Sequence, residues 1–206
     1  MIPADYHALG PSEPPVLELT IGQLLRDAAA EHPDRLAIIE GIPAAAARRT
    51  WTYAEYIAEA ERAAHALLAR FEPGDHIAVW AQNIPEWEIL EYGVALAGMV
   101  IVTVNPAYQP HELRYVLTQS KAKALFLVDS HRGNPMLATA TEVRPDCPEL
   151  RELIRFAEWD EFLASGDDRV DAFPTVDPAD PVMIQYTSGT TGFPKGALLH
   201  HRGLIN

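Results

Sequence analysis

The chain is short of cysteine, of basic side chains and of any long apolar run. A single cysteine, Cys147, in 206 residues excludes an intrachain disulfide and a multi-cysteine metal site. It fits a reducing compartment. Lys and Arg number 16 against 29 Asp and Glu, a formal charge of −13. An overall field of that sign argues against nucleic acid or an anionic membrane as the partner. The longest apolar stretch, Val94 to Val104, is interrupted by Gly98 and Thr103. It falls well below the about 20 residues that a transmembrane helix needs, so no transmembrane segment is expected. The first 15 residues hold four prolines and two acids. They lack the basic start and apolar stretch of a signal peptide, and a cytoplasmic protein is the resulting expectation.

What is present is the composition of a globular chain, 48% hydrophobic and 22% charged. The length supports one large domain or two small ones. Residues 1–18 read as a proline-rich lead-in. Thr20 opens a helix with Gln23 at the capping-box distance, and His32-Pro33 stops it. Leu36 to Ile39 reads as a strand, and Gly41 to Arg49 as a surface connection. Thr52 caps a second helix with Glu55 three residues on, and Tyr56, Ala60, Ala63, Leu67 and Leu68 form its apolar stripe up to Pro73-Gly74. Ile77 to Trp80 is a strand, and Asn83 with Glu86 is the predicted cap of a third helix. Val100 to Val104 is a β-branched strand, Pro110 begins a helix with Leu113, Val116 and Leu117 inside, and Leu125 to Val128 is the next strand. These strands are continuous apolar runs, not alternating ones. Such runs are buried on both faces, which predicts an α/β fold with a parallel-rich sheet flanked by helices.

Asp146 to Pro181 differs in character, with 11 acids against three arginines and prolines at 174, 178 and 181. It reads as a solvated connecting surface, since charge runs face solvent. From Val182 onward there is no acid, only Lys195 and Arg202.

Val182 to Tyr186 is strand-like, and so is Ala197 to Leu199. Between them runs T-S-G-T-T-G-F-P-K-G, residues 187–196. A hairpin needs only two to five connecting residues. This composition suits a polyphosphate instead. Gly189, Gly192 and Gly196 let main-chain N–H groups approach an anion closely. Thr187, Ser188, Thr190 and Thr191 add hydroxyl donors. Lys195 adds a compact positive charge on a flexible stem. The segment is not a Walker A loop, because Pro194 precedes Lys195 and Gly196 stands where Ser or Thr would hold magnesium. It is not G-x-G-x-x-G either.

The run Y-T-S-G-T-T-G-F-P-K-G from Tyr186 closely resembles the AMP-binding signature of the adenylate-forming superfamily, which includes acyl-CoA synthetases, aryl-CoA ligases, luciferases and peptide-synthetase adenylation domains. Gly74-Asp75, Ile77 to Trp80 and Asn83 resemble an early segment of the same superfamily. V-T-V-N-P-A-Y, residues 102–108, with Glu112-Leu113 and Tyr115-Val116-Leu117, is most similar to the fatty-acid–CoA ligase branch. The resemblance implies fatty acid metabolism and a two-step reaction. A carboxylate attacks the α-phosphate of ATP to give an acyl-adenylate and pyrophosphate, and coenzyme A thiol then displaces AMP. It implies ATP contacts from Thr187, Ser188, Gly189, Thr190, Thr191, Gly192 and Lys195, with Lys195 stabilising charge on the departing phosphates. It also implies that His201 borders the acyl pocket. The plainer alternative is that His200 and His201 are two polar residues at a strand end.

The remaining histidines show no metal-ligand spacing. Cys147 has no base paired with it in sequence and reads as structural. The four tryptophans read as core. The superfamily's enzymes are more than twice this length. By that resemblance, residues 19–206 read as an incomplete N-terminal domain. The adenine segments, the Mg2+ ligand, most of the acyl pocket and the C-terminal domain with its catalytic lysine would lie elsewhere. On that basis the 206 residues alone are expected not to turn over, and a truncated sheet edge is expected to self-associate. The alternative is a non-catalytic nucleotide- or partner-binding module derived from the same family.

Overall fold

The computed structural model describes residues 15–168, 172–187 and 194–206. Helix α1 (Ile21–Glu31) starts on Thr20, whose hydroxyl accepts the Gln23 N–H at 3.1 Å. Strands β1 (Leu36–Ile39) and β2 (Thr50–Thr52) form an antiparallel pair. Strand β2 goes unsignalled in the sequence, because three residues carry no measurable period. Helix α2 (Tyr53–Leu68) begins with the expected reciprocal cap: Glu55 N–H donates to Thr52 Oγ1 and Thr52 N–H to Glu55 Oε2. It stops at Leu68, one turn before Pro73-Gly74.

Strand β3 (His76–Trp80) leads to α3 (Pro85–Leu96), and here the sequence expectation needs correcting. Ile84 occupies the N-cap position without a side-chain bond, and Pro85 fills the first helical position. Proline's missing N–H is one that the first turn leaves unpaired anyway, so Pro85 sets the boundary and Asn83 stays outside the helix. Strand β4 (Val100–Thr103), helix α4 (Pro110–Ser120), strand β5 (Ala124–Leu127) and helix α5 (Met136–Val143) follow.

The acidic stretch departs furthest from expectation. It carries β6 (Glu152–Arg155) and α6 (Trp159–Ala164), and buries Phe156, Trp159, Phe162 and Leu163. Phe126 of β5 meets Phe162 edge-on, with ring centroids 4.9 Å apart. Asp160, Glu161, Asp167 and Asp168 face solvent, but the aromatics nearby are core. Strands β7 (Pro181–Thr187) and β8 (Lys195–His200) and the short α7 (His201–Ile205) complete the chain.

The main sheet has the order β6-β5-β3-β4-β7-β8, parallel throughout except the final β7–β8 pair. One core, containing residues of α1, α2, α3 and α6, lies on one face of the sheet. A second, containing residues of α4 and α5, lies on the other. Among the helices, α2 and α3 approach closely over Ala60, Ala63 and Ala64. Gly93 is needed there, since a Cβ at that position would sit 2.8 Å from the Ala63 methyl. The fold is the expected three-layer α/β arrangement.

Candidate functional site

In this sheet β3, β4, β5 and β7 all end at one edge, where the chain leaves each strand. Connections from β3 and β4 go to opposite faces, because α3 and α4 belong to different cores. A crevice opens at such a reversal, and open α/β sheets bind ligands there. A cleft of about 900 Å³ lies at this edge, lined among others by Gln82 after β3, Asn105 and Gln109 after β4, and Arg132 and Asn134 after β5. A smaller hollow of about 220 Å³ adjoins β7 and is lined by Asn83, Trp87, Thr103, Tyr108, Gln185 and Tyr186.

Side-chain hydrogen bonds brace these loops. Trp80 Nε1 donates to the Asn105 carbonyl at 2.9 Å, tying the end of β3 to the loop after β4. Asn134 Nδ2 donates to the Pro106 carbonyl at 3.0 Å, tying in the loop after β5. Asn105 Oδ1 accepts the Ala107 N–H at 2.9 Å and holds its own turn. Arg132, at φ 47°, heads a tight turn beside Gly133 and forms no ion pair among the described residues. Gln82, Gln109, Arg132 and Asn134 were not singled out in the sequence, and Asn105 stood there only within a family-like run. Their shared signal is position: each stands within a few residues of the end of an apolar strand.

The candidate phosphate loop springs from the same edge. Thr187 ends β7 and Lys195 begins β8, and the two residues face each other across the antiparallel ladder. The ladder therefore narrows the connection below the ten residues that composition suggested. Ser188, Gly189, Thr190, Thr191 and Gly192 lie outside the described residues. Thr187 and Lys195 are exposed, and Lys195 has no ion pair among the described residues.

The base of the loop is fixed by packing. Gly196 pairs with Tyr186, and a Cβ at 196 would lie 2.9 Å from Ile184 Cγ2 and 3.2 Å from the Tyr186 ring. Gly196 is therefore required at the ladder by close contact. The Tyr186 hydroxyl bonds Gln119 of α4, and burial pushes its phenol up to about 12. The phenol thus stays neutral, as an anchor between the strand and α4.

The structure does not bring His201 together with Lys195. Strand β8 runs back across the sheet, and at about 3.3 Å per residue it places His201 roughly 20 Å from the loop. The His201 side chain is 1% exposed, and its Nδ1 accepts the Ile21 N–H of α1 at 3.2 Å. Burial holds this imidazole below the ordinary histidine range. His200 instead caps α7, accepting the Gly203 N–H at 3.1 Å. Cys147 is buried beside Thr118, and burial pushes its thiol up, away from the thiolate a nucleophile needs. For magnesium, the described residues include no group of three or more His, Cys, Asp or Glu placed to hold a metal ion.

A parallel sheet clad on both faces, with polar clefts at the carboxyl ends of its strands, defines an α/β protein with a ligand crevice at the switch point. The AMP-binding enzyme family matches residues 25–206, and the chain belongs to that family. It is 32% identical over 219 residues to the acyl-CoA ligase SID4 of Ajellomyces capsulatus, covering 96% of this chain and 36% of that protein. It is 30% identical over 217 residues to the human mitochondrial medium-chain acyl-CoA ligase ACSF2, covering 91% of this chain and 34% of the relative. Among solved structures, the inhibitor-bound N-terminal domain of FACL13 from Mycobacterium tuberculosis superposes with a TM-score of 0.76 at 30% identity, over 90% of this chain and 45% of that one. The chain thus spans little more than a third of the two full-length ligases it resembles.

Proposed function

We propose that this chain is the N-terminal part of an ATP-dependent fatty-acid–CoA ligase. The observation that carries the reading is the sequence run from Tyr186 to Gly196, which begins in the last residues of β7 and ends in the first of β8. The membership of the AMP-binding enzyme family and the acyl-CoA ligases among its relatives support it.

In the first step a fatty acid carboxylate oxygen attacks the α-phosphorus of ATP. The bond from that phosphorus to the bridging oxygen breaks, and pyrophosphate leaves. Negative charge grows on the departing phosphates, so donors already in place there stabilise the transition state more than the ground state. Thr187, Ser188, Thr190 and Thr191 supply hydroxyls, Gly189 and Gly192 supply close main-chain N–H groups, and Lys195 supplies the cation. In the second step the thiol sulfur of coenzyme A attacks the acyl carbonyl carbon and AMP departs. Mg2+ ligands, adenine contacts and most of the acyl pocket belong in this reading to the rest of the enzyme, which works in the cytoplasm, and His201 borders that pocket. One loop delivers only part of the binding energy for ATP, so the 206 residues alone do not turn over.

The test is pyrophosphate exchange in the whole enzyme. Lys195→Ala slows exchange about 10²–10³-fold, the cost of removing one preorganised charge stabiliser. Exchange at the wild-type rate in that variant overturns the role. Thioester formation by the purified 206-residue chain, above its own Lys195→Ala control, overturns the statement on turnover.

A further inference from the structure

Within the layer of α1, α2 and α3 lies a separate cavity of about 620 Å³, closed on one side by β1. Leu24 and Leu25 of α1 and Ile38 and Ile39 of β1 give it aliphatic walls. Tyr53, Tyr56 and Tyr92 supply aromatic faces, and Glu88 of α3 supplies a carboxylate. Tyr56 and Tyr92 meet edge-on with centroids 5.2 Å apart, and the Tyr56 hydroxyl donates to the Glu88 backbone carbonyl at 3.2 Å. The aliphatic surface continues outside: Leu24, Leu36 and Ile39 are 39%, 57% and 55% exposed.

The carboxylates here are treated unlike their neighbours. Glu61 pairs with Arg26, Glu59 with Arg62, and Glu86 with Arg49. Glu88 and Glu91, one helical turn apart on α3, have no cationic partner among the described residues. Burial pushes Glu91 up to about 7, helped by the charge of Glu88, and burial also raises Glu88. A half-buried acid pair without a counter-ion is an electrostatic cost that an incoming cation would relieve.

We infer that this groove is an interaction surface for a partner protein's amphipathic segment, one that presents a lysine or arginine among aliphatic side chains. The cationic head lies against the tyrosine faces and the Glu88 carboxylate, with Glu91 one turn along α3 adding to the local negative field, and the aliphatic side chains cover Leu24, Leu36 and Ile39. A small amine supplies the charge but leaves that rim uncovered. A second copy of this chain, at net charge −13, meets the acidic groove with repulsion.

The test titrates the 206-residue chain into a fluorescently labelled helical peptide with leucine on one face and lysine on the other, followed by anisotropy. The expected result is saturable binding that weakens at least tenfold in E88Q/E91Q and is absent for a leucine/glutamate peptide. It is unchanged in D160N/E161Q, which removes two exposed acids on α6 and controls for the general negative field. E88Q/E91Q melts no lower than wild type, because it removes uncompensated charge. No binding, equal affinity for E88Q/E91Q, or an equal loss in D160N/E161Q overturns the proposal. Displacement of the peptide by an equimolar amount of octylammonium overturns the partner segment in favour of a small amine.

Discussion

Strands β4 and β8 are both apolar in sequence and opposite in fate. In β4, Val100, Ile101 and Val102 are at most 1% exposed, enclosed by β3, β7 and both helical layers. In β8, Ala197 and Leu198 face outward, Leu198 at 60% exposure, and no strand pairs with its outer edge among the described residues. The same kind of residue therefore means two things. In β4 it reports burial already achieved within this chain. In β8 it is apolar surface that calls for a neighbour, which accords with a chain spanning about a third of its full-length relatives.

Four experiments break or sharpen that contrast. The largest effect belongs to the interior: Trp80, 0% exposed in β3, stabilises by packing and by its bond to Asn105. Trp80→Ala costs about 3–5 kcal/mol by chemical denaturation. A cost below about 1 kcal/mol would erase the distinction between the central strands and the last hairpin. Next is Lys195, exposed at the start of β8. Lys195→Ala leaves the melting temperature of the chain unchanged while slowing adenylation by the whole enzyme, which separates chemistry from fold within one strand.

The third test uses pH, because two buried groups respond with opposite signs. Burial depresses His201, with Asp180 opposing that shift and His200 adding to it. The unfolded chain takes up a proton near pH 6.5 that the folded chain refuses, so stability falls as pH drops through that value. Glu91 is raised to about 7, so the folded chain keeps a proton that the unfolded chain releases near its ordinary value. Its contribution is present below that ordinary value and is lost as pH rises through about 7. Between pH 5 and 7 the two slopes oppose each other, so stability falls more steeply with rising pH in His201→Gln and rises with pH in Glu91→Gln. Identical profiles in wild type and variants would sink both assignments.

The smallest effect is at the exposed edge. Leu198→Lys changes stability by less than about 0.5 kcal/mol. It shifts the chain toward monomer in light scattering, because it places a charge on an unpaired edge. An unchanged mass distribution would show that β8 is not where copies of the chain meet.

Much of this architecture was legible in the residues. Thr20, Thr52 and Pro110 mark helix starts by chemistry that acts within one turn, and the apolar strands reported their double-sided burial directly. Asn83 misled because a proline two residues on fixes a helix start more firmly than a side-chain cap. Strand β6, four residues long, was hidden by its charged ends, Glu152 and Arg155 flanking only Leu153 and Ile154. In the same acidic stretch, Phe156, Trp159, Phe162 and Leu163 follow a helical spacing that the charge count obscured. At the site, the loop composition pointed to phosphate chemistry, but the cleft is assembled from three strand ends far apart in sequence, and no local pattern encodes that meeting. His201, six residues after Lys195 in sequence, stands at the other end of β8. A strand that reverses across the sheet carries a residue close in sequence to the far edge.

That reversal also sets a schedule. Helix α1 is complete by Glu31, yet the Ile21 N–H donates to an imidazole 180 positions downstream. At roughly 5–20 residues per second of synthesis, the interval before His201 is even polymerised is about 10–40 s. Throughout it the amino-terminal turn must stay hydrated or be shielded by a chaperone. The first turn of α1 therefore gains this partner only after β8 has been made.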